Sequence, residues 1–108
     1  MKIFDLYGIR ADDVGVHLQD LSRSLHVEWE KRFSDYIGTY YRAVANQFGA
    51  SSIEVRPNRL PDENGLKEKG FPEYTFLLYV NRSPRADEIR ARLSLLPEWS
   101  FLRRDVFD

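Results

Sequence analysis

The chain has 108 residues, 43% hydrophobic and 31% charged, which is the composition of a single globular domain with a core of its own. Its 16 basic and 17 acidic residues nearly cancel, so no overall charge favours a phosphate backbone or an anionic bilayer, and we expect no nucleic acid and no membrane as partner. The absence of cysteine excludes disulfides, thiolate nucleophiles and cysteine-ligated zinc.

The predicted elements begin with a strand over residues 3–9, in which apolar side chains surround Asp5. Asp5 also interrupts the apolar run before it reaches the length of a signal peptide, and no later segment has the ~18 uninterrupted apolar residues of a spanning helix. We therefore expect a cytoplasmic protein. Helical spacing then predicts an amphipathic helix over Ala11–Leu25, whose apolar stripe consists of Val14, Leu18, Leu21 and Leu25.

From Val27 the hydrophobic period changes to two, which predicts a β-ribbon. Trp29 and Phe33 share the parity that we assign to the core, because large aromatic side chains dominate burial. The opposite parity carries Glu28, Glu30, Arg32, Ser34 and Tyr36.

Gly38-Thr39 marks a turn between the two strands of this ribbon, but the register stays open. A two-residue loop would pair Ile37 with Tyr40 and place Asp35 opposite Arg42. Another loop length would bury Tyr41 and Ala43 instead.

The remaining chain predicts two further strands, a second helix and a last strand. A non-periodic loop over 58–73 separates the strands, and Ser83-Pro84 is typical of a helix start. The order β-α-β-β-β-β-α-β predicts one α+β domain over residues 1–108, with two helices on one face of a mixed or antiparallel sheet. We expect the centre of its core to contain Leu18, Leu21, Leu77, Val80, Ile89 and Leu93.

Catalytic chemistry is not evident in the sequence. The two histidines are His17 and His26, and the carboxylates at helical spacing from His17, those of Asp13 and Asp20, are typical of a solvated helix face. No nucleophile elbow surrounds a serine, and no glycine-rich phosphate loop occurs. We expect no enzymatic activity, no metal and no cofactor; a weak hydrolase around His17 is a distant alternative.

Recognition of a protein partner is the function that the ribbon favours. Exposed tyrosine and arginine are enriched at binding hot spots, and neighbouring carboxylates can neutralise a basic partner. The candidate partner-binding residues are Glu28, Glu30, Arg32, Asp35 and Tyr36 on the ribbon and Asp62 and Glu63 in the long loop. The alternative is a ligand-binding or regulatory module, in which Arg32, Arg42 and Arg56 hold a small anion.

Five segments carry a resemblance to a known class of proteins: Tyr36-Ile37-Gly38-x-Tyr40-Tyr41, Ile53–Asn58, Asp62-Glu63, Phe71-Pro72-Glu73-Tyr74 and Leu77–Asn81. Together they resemble small single-domain bacterial immunity proteins encoded beside polymorphic toxins, among them those of contact-dependent growth-inhibition systems. The resemblance implies a cytosolic inhibitor that binds a cognate toxin domain and blocks its active site or substrate surface. Such proteins diverge where they bind, so no contact residue is carried over.

Overall fold

The computed structural model describes residues 1–61 and 65–108, which contain six strands and two helices. The elements are β1 Lys2–Ile9, α1 Gly15–Leu25, β2 Trp29–Ser34, β3 Gly38–Ala43, β4 Ser52–Pro57, β5 Phe76–Asn81, α2 Ala86–Leu93 and β6 Ser100–Phe107. The α+β class and the order of elements predicted from the sequence are confirmed.

All strands belong to one sheet with the order β2-β3-β4-β5-β1-β6, and every neighbouring pair is antiparallel. The first three of these strands follow one another in the chain. By contrast, β1 is inserted between β5 and β6, which come from the C-terminal part of the chain. The sheet therefore ends in two edge strands, β2 and β6.

Both helices pack on one face of the sheet, which we call the helix face. Its core is formed by the apolar stripe of α1, by Ile89 and Leu93 of α2, and by alternate residues of the central strands such as Tyr7 and Val80. All six residues predicted for the centre of the core are buried. Leu77 differs from the other five because its parity places it on the opposite face, which we call the open face.

Both helices begin later than the sequence predicts. α1 begins at Gly15 rather than Ala11, and the carboxylate of Asp13 accepts a hydrogen bond from the Gly15 amide at 3.0 Å. α2 begins at Ala86, and Ser83 Oγ accepts from the Arg85 amide at 3.3 Å. The polar residues expected near each start are present, but they order the approach to the helix instead of its first turn.

The β2–β3 hairpin closes through residues 35–37, with Ser34 paired to Gly38. Gly38 has a φ of +84°, a conformation that glycine adopts without strain. This register puts Ala43 in the core and Tyr41 against it, which is the second of the two alternatives. The prediction that Phe33 is a core residue is wrong: 71% of Phe33 is exposed, because this end of the hairpin extends beyond the cover of the helices.

Within the described part of the chain, neither α1 nor α2 is long and apolar enough to cross a lipid bilayer.

Candidate protein-binding surface

The open face carries a row of charged and tyrosine side chains that crosses the sheet from β2 to β6. The register places Glu30, Arg42, Glu54 and Tyr79 opposite one another on four successive strands. We call the whole row the polar ladder; its members are Glu30, Arg32, Tyr40, Arg42, Glu54, Arg56, Glu68, Tyr79, Arg103 and Asp105.

Glu54 is the centre of the polar ladder, with only 6% of its side chain exposed. Arg56 Nε donates to its carboxylate at 2.9 Å, and Arg42 lies 3.5 Å from it. The Arg56 guanidinium also lies 5.5 Å from the ring centroids of both Tyr40 and Tyr79. Arg42 and Arg56, two of the three arginines of the anion-binding alternative, thus already pair with one buried carboxylate, whose single charge offsets one of theirs, and Arg32 pairs with Glu30. A small anion would have to compete with these ion pairs for the guanidinium groups.

Glu68 attaches the long loop to the open face. Its carboxylate accepts hydrogen bonds from the Tyr79 hydroxyl at 2.8 Å and from Arg103 Nη1 at 3.0 Å. Burial alone would raise the pKa of Glu68, but the hydrogen bonds from Arg103 and Tyr79 outweigh it, so this pKa lies below its ordinary value. Burial, followed by the Glu68 carboxylate, raises the pKa of Tyr79. The polar ladder thus holds the long loop on the sheet as well as forming an exposed surface.

Asn58 braces the same loop from within. The side chain is fully buried; its amide donates to the carbonyls of Phe71 and Tyr74 at 3.0 and 2.9 Å, and its oxygen accepts from the Glu68 amide at 2.9 Å. A second contact fixes the loop on β1, because the ring of Tyr74 lies where a side chain at Gly8 would be. Residues 65–74 are therefore held on the sheet by several independent contacts.

The predicted partner-binding residues separate into groups. Glu30 and Arg32 lie on the same face of β2 and form an ion pair, and the hydrogen bond that Arg32 donates to the Glu30 carboxylate raises the pKa of Arg32. With Arg42 they line a small cavity of about 90 Å³. Glu28 is exposed at the opposite end of β2 from the hairpin loop, which contains Asp35 and Tyr36. The predicted sites Asp62 and Glu63 lie outside the described residues.

Large apolar side chains are exposed on the same hairpin. Tyr36 is 86% exposed and Phe33 71%, and Val44, just beyond β3, is 65% exposed. Among the described residues β2 pairs with β3 alone, so its outer edge offers free backbone donors and acceptors. We call Phe33, Asp35 and Tyr36 the hairpin tip. An edge strand beside two exposed aromatic rings is a surface suited to a protein partner.

A separate cluster could hold a cation. His17 and Asp20 of α1 meet Glu98, and one potential ligand atom from each lies within 4.8 Å of the other two. Asp20 already forms a 2.7 Å ion pair with Arg23, which competes with any metal. The sequence did not indicate Glu98, because only the packing of the α2–β6 connection against α1 brings it near His17.

No family model, no curated protein and no solved structure matches this chain. Its function must therefore be argued from its own surface and chemistry.

Proposed function

We propose that this protein is a non-enzymatic immunity protein that binds a cognate bacterial toxin domain in the cytoplasm and occludes its active site or substrate surface. The observation that carries the proposal is the hairpin tip, where Phe33 and Tyr36 expose most of their surface beside an edge strand. The resemblance of the sequence to immunity proteins encoded beside polymorphic toxins supports the choice of partner.

The first step of recognition is desolvation of the hairpin tip. Tyr36 is a large amphipathic side chain with few rotatable bonds, so it gains contact area at little entropic cost. Its amide already donates to Ser34 Oγ at 3.2 Å, which helps to fix the loop before binding. Phe33 adds a second ring, and the free edge of β2 can extend the contact through backbone hydrogen bonds.

The second step is electrostatic. Glu28 and Asp35 are exposed at the two ends of the hairpin and form no ion pair within residues 1–61 and 65–108. Their charge is free to attract the basic surface with which a nuclease toxin would hold its substrate. Asp62 and Glu63 add two further carboxylates to this proposal. Glu30 is expected to contribute less, because Arg32 neutralises it.

Binding kinetics with the toxin domain encoded by the neighbouring gene test the proposal. Tyr36→Ala is expected to accelerate dissociation by about 30-fold, the equivalent of about 2 kcal/mol for a buried anchor. Leu95→Ala, which truncates an 80% exposed side chain outside the hairpin, is the matched control and is expected to leave both rates unchanged. The double substitution Glu28→Lys/Asp35→Lys is expected to slow association, most clearly at low salt.

Two results would count against the proposal. Wild-type protein that does not bind the neighbouring toxin domain rejects the immunity function for that partner. Binding that is unaffected by Tyr36→Ala and by the double charge reversal places the interface away from the hairpin.

A further inference from the structure

A cavity of about 140 Å³ opens on the helix face, where the C-terminal half of α2 meets β1 and β6. It lies away from the hairpin tip and shares no residue with the polar ladder. Most of its surface is aromatic or aliphatic, and its lining consists of Tyr7, Arg90, Leu93, Ser94, Trp99 and Phe101.

Two buried polar atoms in this lining lack a hydrogen-bond partner among the described residues. They are the hydroxyl of Tyr7 and Nε1 of Trp99, in side chains that are 2% and 4% exposed. Native proteins leave few such groups unpaired, so two in the lining of one cavity call for an explanation. Tyr79 shows the usual outcome on the other face of the sheet, because its hydroxyl donates to Glu68.

The chemistry of these groups selects the kind of ligand. An indole N–H only donates, and a protonated phenol can donate or accept, so a hydrogen-bond acceptor is the one kind of group that can satisfy both. Burial, followed by the nearby Asp5 carboxylate, raises the pKa of Tyr7, so its hydroxyl can still donate a hydrogen bond well above neutral pH. Arg90 adds positive charge to the lining, with its guanidinium carbon 3.8 Å from the ring centroid of Phe101.

The size of the cavity selects the rest of the ligand. An apolar cavity of about 150 Å³ in a protein core holds one benzene ring, and the cavity described here is of that volume. Leu93, Trp99 and Phe101 supply apolar surface against which a ring can pack. Arg90 is exposed, so its side chain can turn toward a bound anion without disturbing the core.

We propose that this cavity is a binding site for a small aromatic carboxylate. The ring packs among Leu93, Trp99 and Phe101. The carboxylate accepts a hydrogen bond from the Tyr7 hydroxyl or the Trp99 indole and is neutralised by Arg90. The site goes beyond toxin binding and gives the protein a ligand-dependent state on the face that the hairpin does not use.

Titration of the isotope-labelled protein with benzoate tests the site through the indole N–H resonances in NMR spectra. Benzoate is expected to shift the Trp99 indole resonance saturably with a millimolar or lower Kd. The Trp29 indole is an internal control, because it donates to the Leu18 carbonyl at 3.0 Å and should not move. Acetate, which has the carboxylate without the ring, is expected to leave both resonances in place.

Two variants test the assigned contacts. Arg90→Gln and Tyr7→Phe are each expected to weaken benzoate binding about tenfold, whereas Tyr79→Phe on the open face should not. Arg90 is at the surface, so Arg90→Gln remains informative if Tyr7→Phe fails to fold. Weakening by either variant supports the site. The proposal is overturned if benzoate causes no saturable shift of the Trp99 resonance, if acetate causes an equal one, or if neither variant weakens binding.

Discussion

Arg104→Met should cost this domain about 3 kcal/mol of stability. Arg104 donates through Nε and Nη2 to the two oxygens of Asp5 at 2.8 and 2.9 Å, and through Nη1 to Asp87 at 2.7 Å. These hydrogen bonds raise the pKa of Arg104, and those to Asp5 have the larger effect. They join β6 to β1 and to the first turn of α2. Asp5 is 2% exposed, so removal of the guanidinium leaves a buried carboxylate without a partner.

The magnitude follows from the burial of the two partners. Removing one member of a buried pair costs about 3–5 kcal/mol, whereas an exposed pair is worth at most about 1 kcal/mol. The side chain of Asp5 is 1% exposed and that of Arg104 is 24%, which favours the lower end of the buried range. The contact with Asp87, whose side chain is 86% exposed, adds little. A loss of about 3 kcal/mol is a large share of the 5–15 kcal/mol typical of domains.

Urea denaturation at neutral pH measures the loss. Arg32→Met is the control, because the side chains of Arg32 and of its partner Glu30 are 45% and 51% exposed, and it should cost far less stability than Arg104→Met. Asp5→Leu/Arg104→Met removes both charges and is expected to recover most of the loss. A loss below about 1 kcal/mol for Arg104→Met, with an unchanged m-value, would refute the reasoning.

Three further results are expected. Gly8→Ala should cost about 1–3 kcal/mol in urea denaturation, because its new Cβ would lie 2.7 Å from the ring of Tyr74, whereas Gly70→Ala meets nothing within 4 Å and is the control; equal effects would contradict this. Because the pKa of Glu68 is lower in the folded than in the unfolded protein, its ionised carboxylate stabilises the fold above the ordinary glutamate pKa of about 4.3. This stabilisation should be lost as the pH falls through the pKa of Glu68 in the folded protein. Glu68→Gln should therefore reduce the loss of unfolding free energy at acid pH, as measured by urea denaturation over a range of pH. Elemental analysis should find no stoichiometric transition metal; one zinc per chain would reassign the His17 cluster.

The sequence predicts the elements well because each has a strong local period. The apolar stripe of α1 and the continuous apolar run of β5 indicate a helix and a strand directly, and the same patterns predict which side chains are buried. Errors arise where the local pattern is overridden by position in the fold. Phe33 keeps the parity of Trp29, yet periodicity cannot tell how far along a strand the covering helices extend.

The candidate sites are harder to predict because they depend on pairs distant in sequence. In the sequence, the alternation of apolar and polar residues predicts that Glu54 is an ordinary exposed residue of a strand. Only the β3–β4 register shows that Arg42 lies opposite it. The cavity requires Tyr7 and Trp99 to meet across β1 and the connection after α2. The hairpin tip is an intermediate case, since the sequence indicates Tyr36 and Asp35 as binding residues but does not determine the loop length.

The position of β1 in the sheet has a consequence for how the domain folds. Both of its neighbours, β5 and β6, come from the C-terminal part of the chain, so its pairing closes very long loops. The β2-β3-β4 meander can form from local contacts first. A chain in which only this meander has formed leaves β1 unpaired, and one side of β1 stays unpaired until β6 joins the sheet. We therefore expect slow folding, with partly folded chains vulnerable to aggregation through the exposed apolar side chains of β1.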